Sequence, residues 1–318
     1  MSQEPLDLRV VAFGGGHGLS ASLSALRRVV ADLTAVVTVA DNGGSSGRLR
    51  REFGALPPGD LRQALAALCG DDEWGSTWAR VLQHRFVSPG AMNEHAVGNL
   101  LIVALWELLG DHVDGLEWVG RLLGAHGRVL PMSVTPIDIA AEVSGLVPGE
   151  PTLLTSVRGQ VQVASTHGRV VSVRLEPADP PACPQALTAV GSADWLVLGP
   201  GSWYTSVIPH LLVPALRKAL VESSARKAVT VNLEPQAGET DGFTPETHLE
   251  VLAAHAPDLS LDVVLADQRS VGDADRLGKV AAALGAELVV ADLAADDGTP
   301  RHEPAKLANA YAGLMGPA

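Results

Sequence analysis

The run Gly14-Gly15-Gly16-His17-Gly18-Leu19 sits between an apolar, β-branched stretch and a helix-like one. Backbone N–H groups bare of side chains, at the positive end of a helix, suit a phosphate. Leu19 stands where a dinucleotide fingerprint needs its third glycine, which argues against a nicotinamide or flavin site. The plain alternative is a tight turn. A second loop, Asp41-Asn42-Gly43-Gly44-Ser45-Ser46-Gly47, opens on the acidic residue that a nucleotide-binding βαβ unit uses against a sugar hydroxyl. Magnesium-diphosphate binding is the rival role for Asp41, and helix capping the plain one. Arg48, Arg50 and Arg51 follow as a basic cluster in an acidic chain.

A third run, Gly199-Pro200-Gly201-Ser202-Trp203-Tyr204-Thr205-Ser206, again follows a strand-like segment and opens a helix, which makes a second anion cradle. Asp60 and Arg62 stand at a turn into a helix, where Asp60 is a candidate ligand contact or a plain N-cap. His95 and Asn99 are four apart, so on a helix both face the same way, toward a ligand or toward each other in the core. Asn232 ends another strand and leads through Gln236, Gly238, Glu239 and Asp241 toward His248. The acidic residues of that loop read as ordinary surface. His302 and Glu303 are weaker candidates still. The sequence contains no Walker A run, HExxH or nucleophile–histidine–acid order, so ordinary NTPase and protease chemistry lack support.

These loops need a scaffold that brings them together. Strand-like runs fall at Leu8–Phe13, Ala35–Ala40, Trp195–Leu198, Val229–Asn232, Val263–Ala266 and Leu288–Ala291, separated by helix-sized segments, which predicts about six parallel strands in one doubly wound α/β core. Residues 60–124 read as helical, and 131–177 alternate as in a β-hairpin or small sheet, with Val161-Gln162-Val163 among the alternating residues. The expectation is one domain over 1–318 with an inserted helical cap and small β subdomain at 60–177. In such a sheet the ligand crevice lies at the carboxyl ends of the strands, where the Gly14, Asp41 and Gly199 loops all fall.

With 318 residues, 47% of them hydrophobic, the chain can bury a large core. A formal charge of −13 argues against nucleic acid and anionic membrane as partners. Cys69 and Cys183 are the two cysteines, in no metal-ligand spacing, which fits a reducing cytoplasm. The polar, acidic start and the short apolar runs argue against export and membrane insertion.

The stretches Gly14 to Ser20, Val39 to Arg50, Pro57 to Leu65, Gly98 to Leu101, Gly199 to Pro209 and Asn232 to Thr244 resemble the YvcK-type gluconeogenesis factors, within the larger group that includes 2-phospho-L-lactate transferase. The resemblance runs over nearly the whole chain. It implies a Rossmann-like core that binds UDP-N-acetylglucosamine or a related UDP-sugar, with a role in cell shape and in growth on gluconeogenic carbon sources. The transferase branch implies movement of a phospholactyl group from a guanosine diphosphate donor to a deazaflavin alcohol, with magnesium. Two positions depart from the family pattern: His17 replaces the usual threonine, and Asn42 a common second aspartate. His17 still donates a hydrogen bond, whereas Asn42 lacks the carboxylate a metal would use.

The expectation is therefore a ligand-sensing regulator that requires no cofactor. Its diphosphate would lie on Gly14–Gly18 and Gly199–Ser206, Asp41 and Asn42 would contact sugar hydroxyls, and Arg48 or Arg62 would offset charge. The alternative is a magnesium-dependent transferase in which Asp41, Asp60 or His95 holds the metal or acts as base. A homodimer is compatible with either.

Overall fold

The computed structural model describes residues 4–316. Its main sheet has seven strands, all parallel: β1 (Leu6–Gly14), β2 (Val30–Val37), β3 (Arg128–Pro131), then β7 (Trp195–Leu198), β8 (Arg226–Thr230), β9 (Val263–Asp267) and β10 (Glu287–Ala291). A separate three-stranded antiparallel sheet holds β4 (Asp138–Ser144), β5 (Leu154–Arg158) and β6 (Arg169–Glu176) in the order β5-β4-β6. Six helices precede β4: α1 (Gly16–Leu26), α2 (Gly44–Phe53), α3 (Gly59–Ala67), α4 (Glu73–Gln83), α5 (Val97–Leu109) and α6 (His112–Leu123). After β5 come α7 (Gln160–Ala164), α8 (Pro184–Ser192), α9 (Ile208–Leu212), α10 (Pro214–Glu222), α11 (Pro245–His255), α12 (Ala274–Ala283) and α13 (Pro304–Met315). A π-helical turn, Trp203–Val207, runs directly into α9.

The strand order is β10-β9-β8-β7-β1-β2-β3. From β1 the chain winds outward through β2 to β3, and from β7 it winds the other way to β10, so the direction reverses between β1 and β7. This is a Rossmann-like, doubly wound sheet, and its crevice belongs at that reversal. The residues on β1 from Val10 to Phe13, and all of β7 and β9, are buried, as continuous apolar runs must be when helices cover both faces.

The six expected strands are present. The seventh, β3, has only four residues and follows a long helical tract, too short for a periodic signal to separate it from the helix before it. It pairs with β2 at the sheet edge, where Pro131, lacking an N–H, is tolerated at the strand end. Residues 60–177 thus contribute α3–α6 to the β2–β3 crossover and a strand to the main sheet, as well as holding the small sheet. Val161-Gln162-Val163 is a helical turn rather than a strand. Three alternating residues do not distinguish the two, and the decision comes from 119 residues away, where Asn42 Oδ1 accepts a hydrogen bond from Val161 N at 3.1 Å.

Candidate functional site at the strand reversal

The β1 loop and the β7 loop meet. Gly15 is the N-cap of α1, extended and without a side-chain cap. A Cβ on Gly15 would stand 2.6 Å from Asp60 Oδ2 and 3.1 Å from Ser206 Oγ, so only glycine lets these groups crowd the helix start. A Cβ on Gly18 would collide with the Pro200 carbonyl and approach Gly201 Cα to 2.5 Å. Gly18 therefore serves loop-on-loop packing. The β7 loop is anchored from below: Gly199 N donates to Phe13 O at 3.1 Å, and Ser22 Oγ donates to Gly199 O at 3.0 Å. The Tyr311 hydroxyl of α13 lies 3.0 Å from Ser22 Oγ and 2.9 Å from Thr230 Oγ1, tying α1, β8 and α13 together under the loop.

Three helix starts converge here. The first N–H groups of α1 and α2 have no side-chain cap and no acidic residue in the first turn. The start of α3 touches both: its Asp60 lies beside Gly15, and its Gly59 lies against Ser46 and Asp41. Each such start carries about half a positive charge, so the convergence attracts an anion.

The chain's own carboxylates sit in that field. Asp41 Oδ1 accepts from Gly43 N at 2.8 Å at the mouth of α2. Burial, and then the neighbouring Asp41 carboxylate, push the Asp60 carboxyl up to about 7, against the opposing pull of the Gly16 amide and Arg62. Arg62 is 2% exposed; its Nε donates to Asn99 Oδ1 at 2.8 Å, and Asn99 Nδ2 donates to Ser45 Oγ at 3.0 Å. His95 Nδ1 lies 3.0 Å from the same hydroxyl, so Arg62, Asn99, Ser45 and His95 form one buried chain. Burial, and next the charge of Arg85, lower the Arg62 guanidinium to about 10. Burial, and then Arg48, also hold His95 below its ordinary value. His95 and Asn99 both reach the Ser45 hydroxyl, and His95 lies just before α5 rather than on it.

Other expected residues are committed elsewhere. Arg48 donates to Ala91 O at 3.1 Å and Asn93 O at 2.6 Å, pinning the loop between α4 and α5. The Asn42 carboxamide holds α7 through Val161 N and Gln162 Oε1, the latter at 3.2 Å. Asn232 clamps Gly201, accepting from its N–H and donating to its carbonyl, each at 2.8 Å. His17 is exposed, and Leu19 is a core residue 1% exposed. Gly43 O accepts from Gly47 N at 2.7 Å to begin α2, and Gly44 leads the free helix start. Tyr204 is buried with its hydroxyl 3.4 Å from Val170 O, and the Ser202 carbonyl takes the Ser206 and Val207 amides at 2.8 and 3.1 Å.

Glu239 is not an ordinary surface residue. It is 5% exposed and its Oε1 accepts from Thr205 N at 2.8 Å, inside the expected cradle. Burial raises its carboxyl to about 6, against the amides of Thr205 and Tyr204. The sequence held no signal for this, because a Gly-rich loop gives no periodicity from which burial can be read. Thr38 and Gln63 were also not singled out. Thr38 Oγ1, Gln63 Oε1, Arg62 Nη1 and Thr205 Oγ1 are buried without hydrogen-bond partners. Buried polar atoms are normally paired, and these four are exceptions among the described residues.

The arrangement sets uncapped helix starts, the kind of group that suits an anion, beside the raised Asp60 carboxyl. Among the described residues no three His, Cys, Asp or Glu side chains are grouped to hold a metal, and no helix is long and apolar enough to cross a membrane.

Comparison with known proteins identifies the family. The family model for "2-phospho-L-lactate transferase CofD" matches residues 10–301. A Mycobacterium tuberculosis (strain H37Rv) protein named "Putative gluconeogenesis factor" is 52% identical over 308 residues, covering 96% of this chain and 90% of that protein. A Halalkalibacterium halodurans protein named "Gluconeogenesis factor" is 38% identical over 264 residues, covering 83% and 79%. The crystal structure of a UPF0052 family member from Bacillus halodurans superposes with a TM-score of 0.84 at 33% identity, covering 96% of this chain and 98% of that one. The match over nearly all of the sheet, its two glycine loops included, places this chain in the 2-phospho-L-lactate transferase CofD family.

Proposed function

We propose that this chain binds a nucleotide sugar of the UDP-N-acetylglucosamine class at the strand reversal and acts as a cytoplasmic regulator linking precursor supply to gluconeogenic growth and cell shape. The carrying observation is the abutment of the Gly14–Gly18 and Gly199–Ser206 loops across β1 and β7, beside three converging helix starts. The diphosphate lies over this junction, with the sugar toward Asp41 and the α2 start. The gluconeogenesis-factor names of the relatives support the physiological side. Calorimetric titration with UDP-N-acetylglucosamine tests the reading: a saturable heat is expected, and no heat at millimolar ligand with folded protein overturns it.

The Asp60 carboxyl, held near 7, favours a second reading, a transferase of the family's type. Magnesium is commonly held by one or two carboxylates together with substrate phosphates, and Asp41 would be the carboxylate that holds it here. The ion would neutralise charge on the diphosphate, while Asp60 accepts the acceptor hydroxyl's proton. Magnesium-dependent product from a nucleoside-diphosphate donor, abolished by Asp60→Asn, supports it. Tight ligand binding with no turnover leaves the regulatory reading standing.

A further inference from the structure

Residues 234–243, between β8 and α11, hold themselves together. Thr240 Oγ1 accepts from Gln236 N at 2.8 Å, Gln236 O accepts from Glu239 N and Thr240 N at 3.1 and 2.9 Å, and Asp241 Oδ2 accepts from Gly238 N at 3.0 Å. Among the described residues, Glu239 is the one whose hydrogen bond ties this loop to another element, through the Thr205 amide at 2.8 Å. That amide lies at the start of the continuous helix 203–212, the π-helical turn followed by α9. An anion therefore already sits where a phosphate would, and it belongs to the chain itself. A flat carboxylate fits the place incompletely: Thr205 Oγ1 is buried without a partner, and a tetrahedral group has oxygens for both the amide and the hydroxyl.

The same loop borders a cavity of about 500 Å³, into which Gly238, Glu239 and Asp241 face His167 and Arg169 at the start of β6. The other arginines of the small sheet are paired, Arg158 with Asp138 and Glu176, and Arg174 with Glu142 and Glu176. Arg169 is exposed and pairs with no carboxylate among the described residues. Burial raises the Tyr204 phenol to about 12, with Arg169 opposing and Glu239 adding to the rise, so both charges stand within reach of one hydroxyl. Glu239 thus has two partners to choose between, the helix start and a free guanidinium, and a carboxylate is strongly bound by either.

Resting on the nucleotide-sugar reading above, we propose that Glu239 is a gate on that site: on the Thr205 amide it closes the β7 cradle to phosphate, and on Arg169 it leaves the cradle open. Two anions cannot share one amide, so the ligand's diphosphate replaces the carboxylate and residues 234–243 move as it binds. Apparent affinity then scales with the fraction of chains in the open form. Removing the charge of Glu239 raises that fraction. Removing the guanidinium of Arg169 lowers it, so a residue outside the cradle controls binding in it.

The test titrates the full chain with UDP-N-acetylglucosamine by calorimetry and with sodium sulfate, a bare tetrahedral anion, by thermal shift. The parent, Glu239→Gln, Arg169→Gln and the double variant are compared. Glu239→Gln keeps an oxygen for the Thr205 amide without the charge, and should bind both probes at least about fivefold more tightly. Arg169→Gln should bind them at least about threefold more weakly, and should change nothing in the Glu239→Gln background, because its effect runs through that carboxylate. In the parent chain, hydrogen exchange at the amides of residues 236–243 should quicken when ligand is added. Equal affinities of parent and Glu239→Gln, an Arg169→Gln loss that persists in the double variant, or exchange that does not quicken overturns the gate and leaves the nucleotide-sugar site intact. If UDP-N-acetylglucosamine fails on every folded variant while sulfate keeps the expected order, the nucleotide-sugar reading falls and the gate stands. If neither probe binds folded protein, both fall. The exchange measurement uses the unaltered chain and Arg169 is exposed, so the outcome does not depend on the folding of Glu239→Gln.

Discussion

Asp60 concentrates the conflict at this site. Its carboxyl is raised from 3.8 to about 7 by burial and by Asp41. A raised carboxyl binds its proton more tightly in the folded state than in the unfolded one, so its contribution to stability is complete below about pH 4 and is lost as pH rises toward 7. Asp60→Asn removes the ionisable group. The variant is expected to be more stable than the parent at pH 8, on the order of 2 kcal/mol, with the difference shrinking toward pH 4. Urea unfolding at the two pH values checks this, and an unchanging difference would refute it. Arg62 behaves in the opposite way on removal. Arg62→Leu leaves the Asn99 carbonyl oxygen buried without its donor, with an expected loss of about 2–4 kcal/mol by the same assay.

At the scale of elements, close approach of loops replaces side-chain chemistry. In Gly18→Ala the new methyl meets the Pro200 carbonyl, and the β1 and β7 loops must separate. Because the proposed diphosphate site consists of that abutment, binding of UDP-N-acetylglucosamine should weaken by more than about tenfold, with a stability loss of about 1–3 kcal/mol. Calorimetry on the folded variant reads the first and urea unfolding the second. Asn42 is a contrasting case. Its side chain ties α2's leading loop to α7, so Asn42→Ala should lower stability by about 1 kcal/mol and leave ligand affinity within a factor of about two. A large loss of affinity would mean that Asn42 turns toward the ligand, as its position in the sequence suggested.

For the whole molecule, the formal charge of −13 repels anions at long range, so capture of the proposed diphosphate would depend on the local field of helix starts and on Arg62. A ligand that engages only the folded chain stabilises it by about 2.7 kcal/mol at a hundred times its Kd, raising the melting temperature by a few degrees. A thermal-shift series across nucleotide sugars should rank them in the order of their calorimetric affinities. A shift produced equally by inorganic sulfate would show that charge alone is read.

The buried strands were legible in the sequence because continuous β-branched runs bounded by glycine have few other solutions, and β7 falls where its run predicts, Trp195–Leu198. The glycine loops were legible for the same reason: each follows such a run and opens a helix, so a doubly wound sheet must carry them on one edge. Their chemistry was not. Which polar side chain ends up free depends on partners far along the chain. Asn232 is consumed by Gly201, Asn42 by α7 and Arg48 by the loop before α5. Glu239 enters the cradle from a loop without periodicity, and His248 acquires its tautomer from a carbonyl and its rigidity from Trp203. Periodicity along one strand or helix is a local property that the sequence determines by itself; hydrogen-bond pairing between distant segments exists only once the chain has closed on itself.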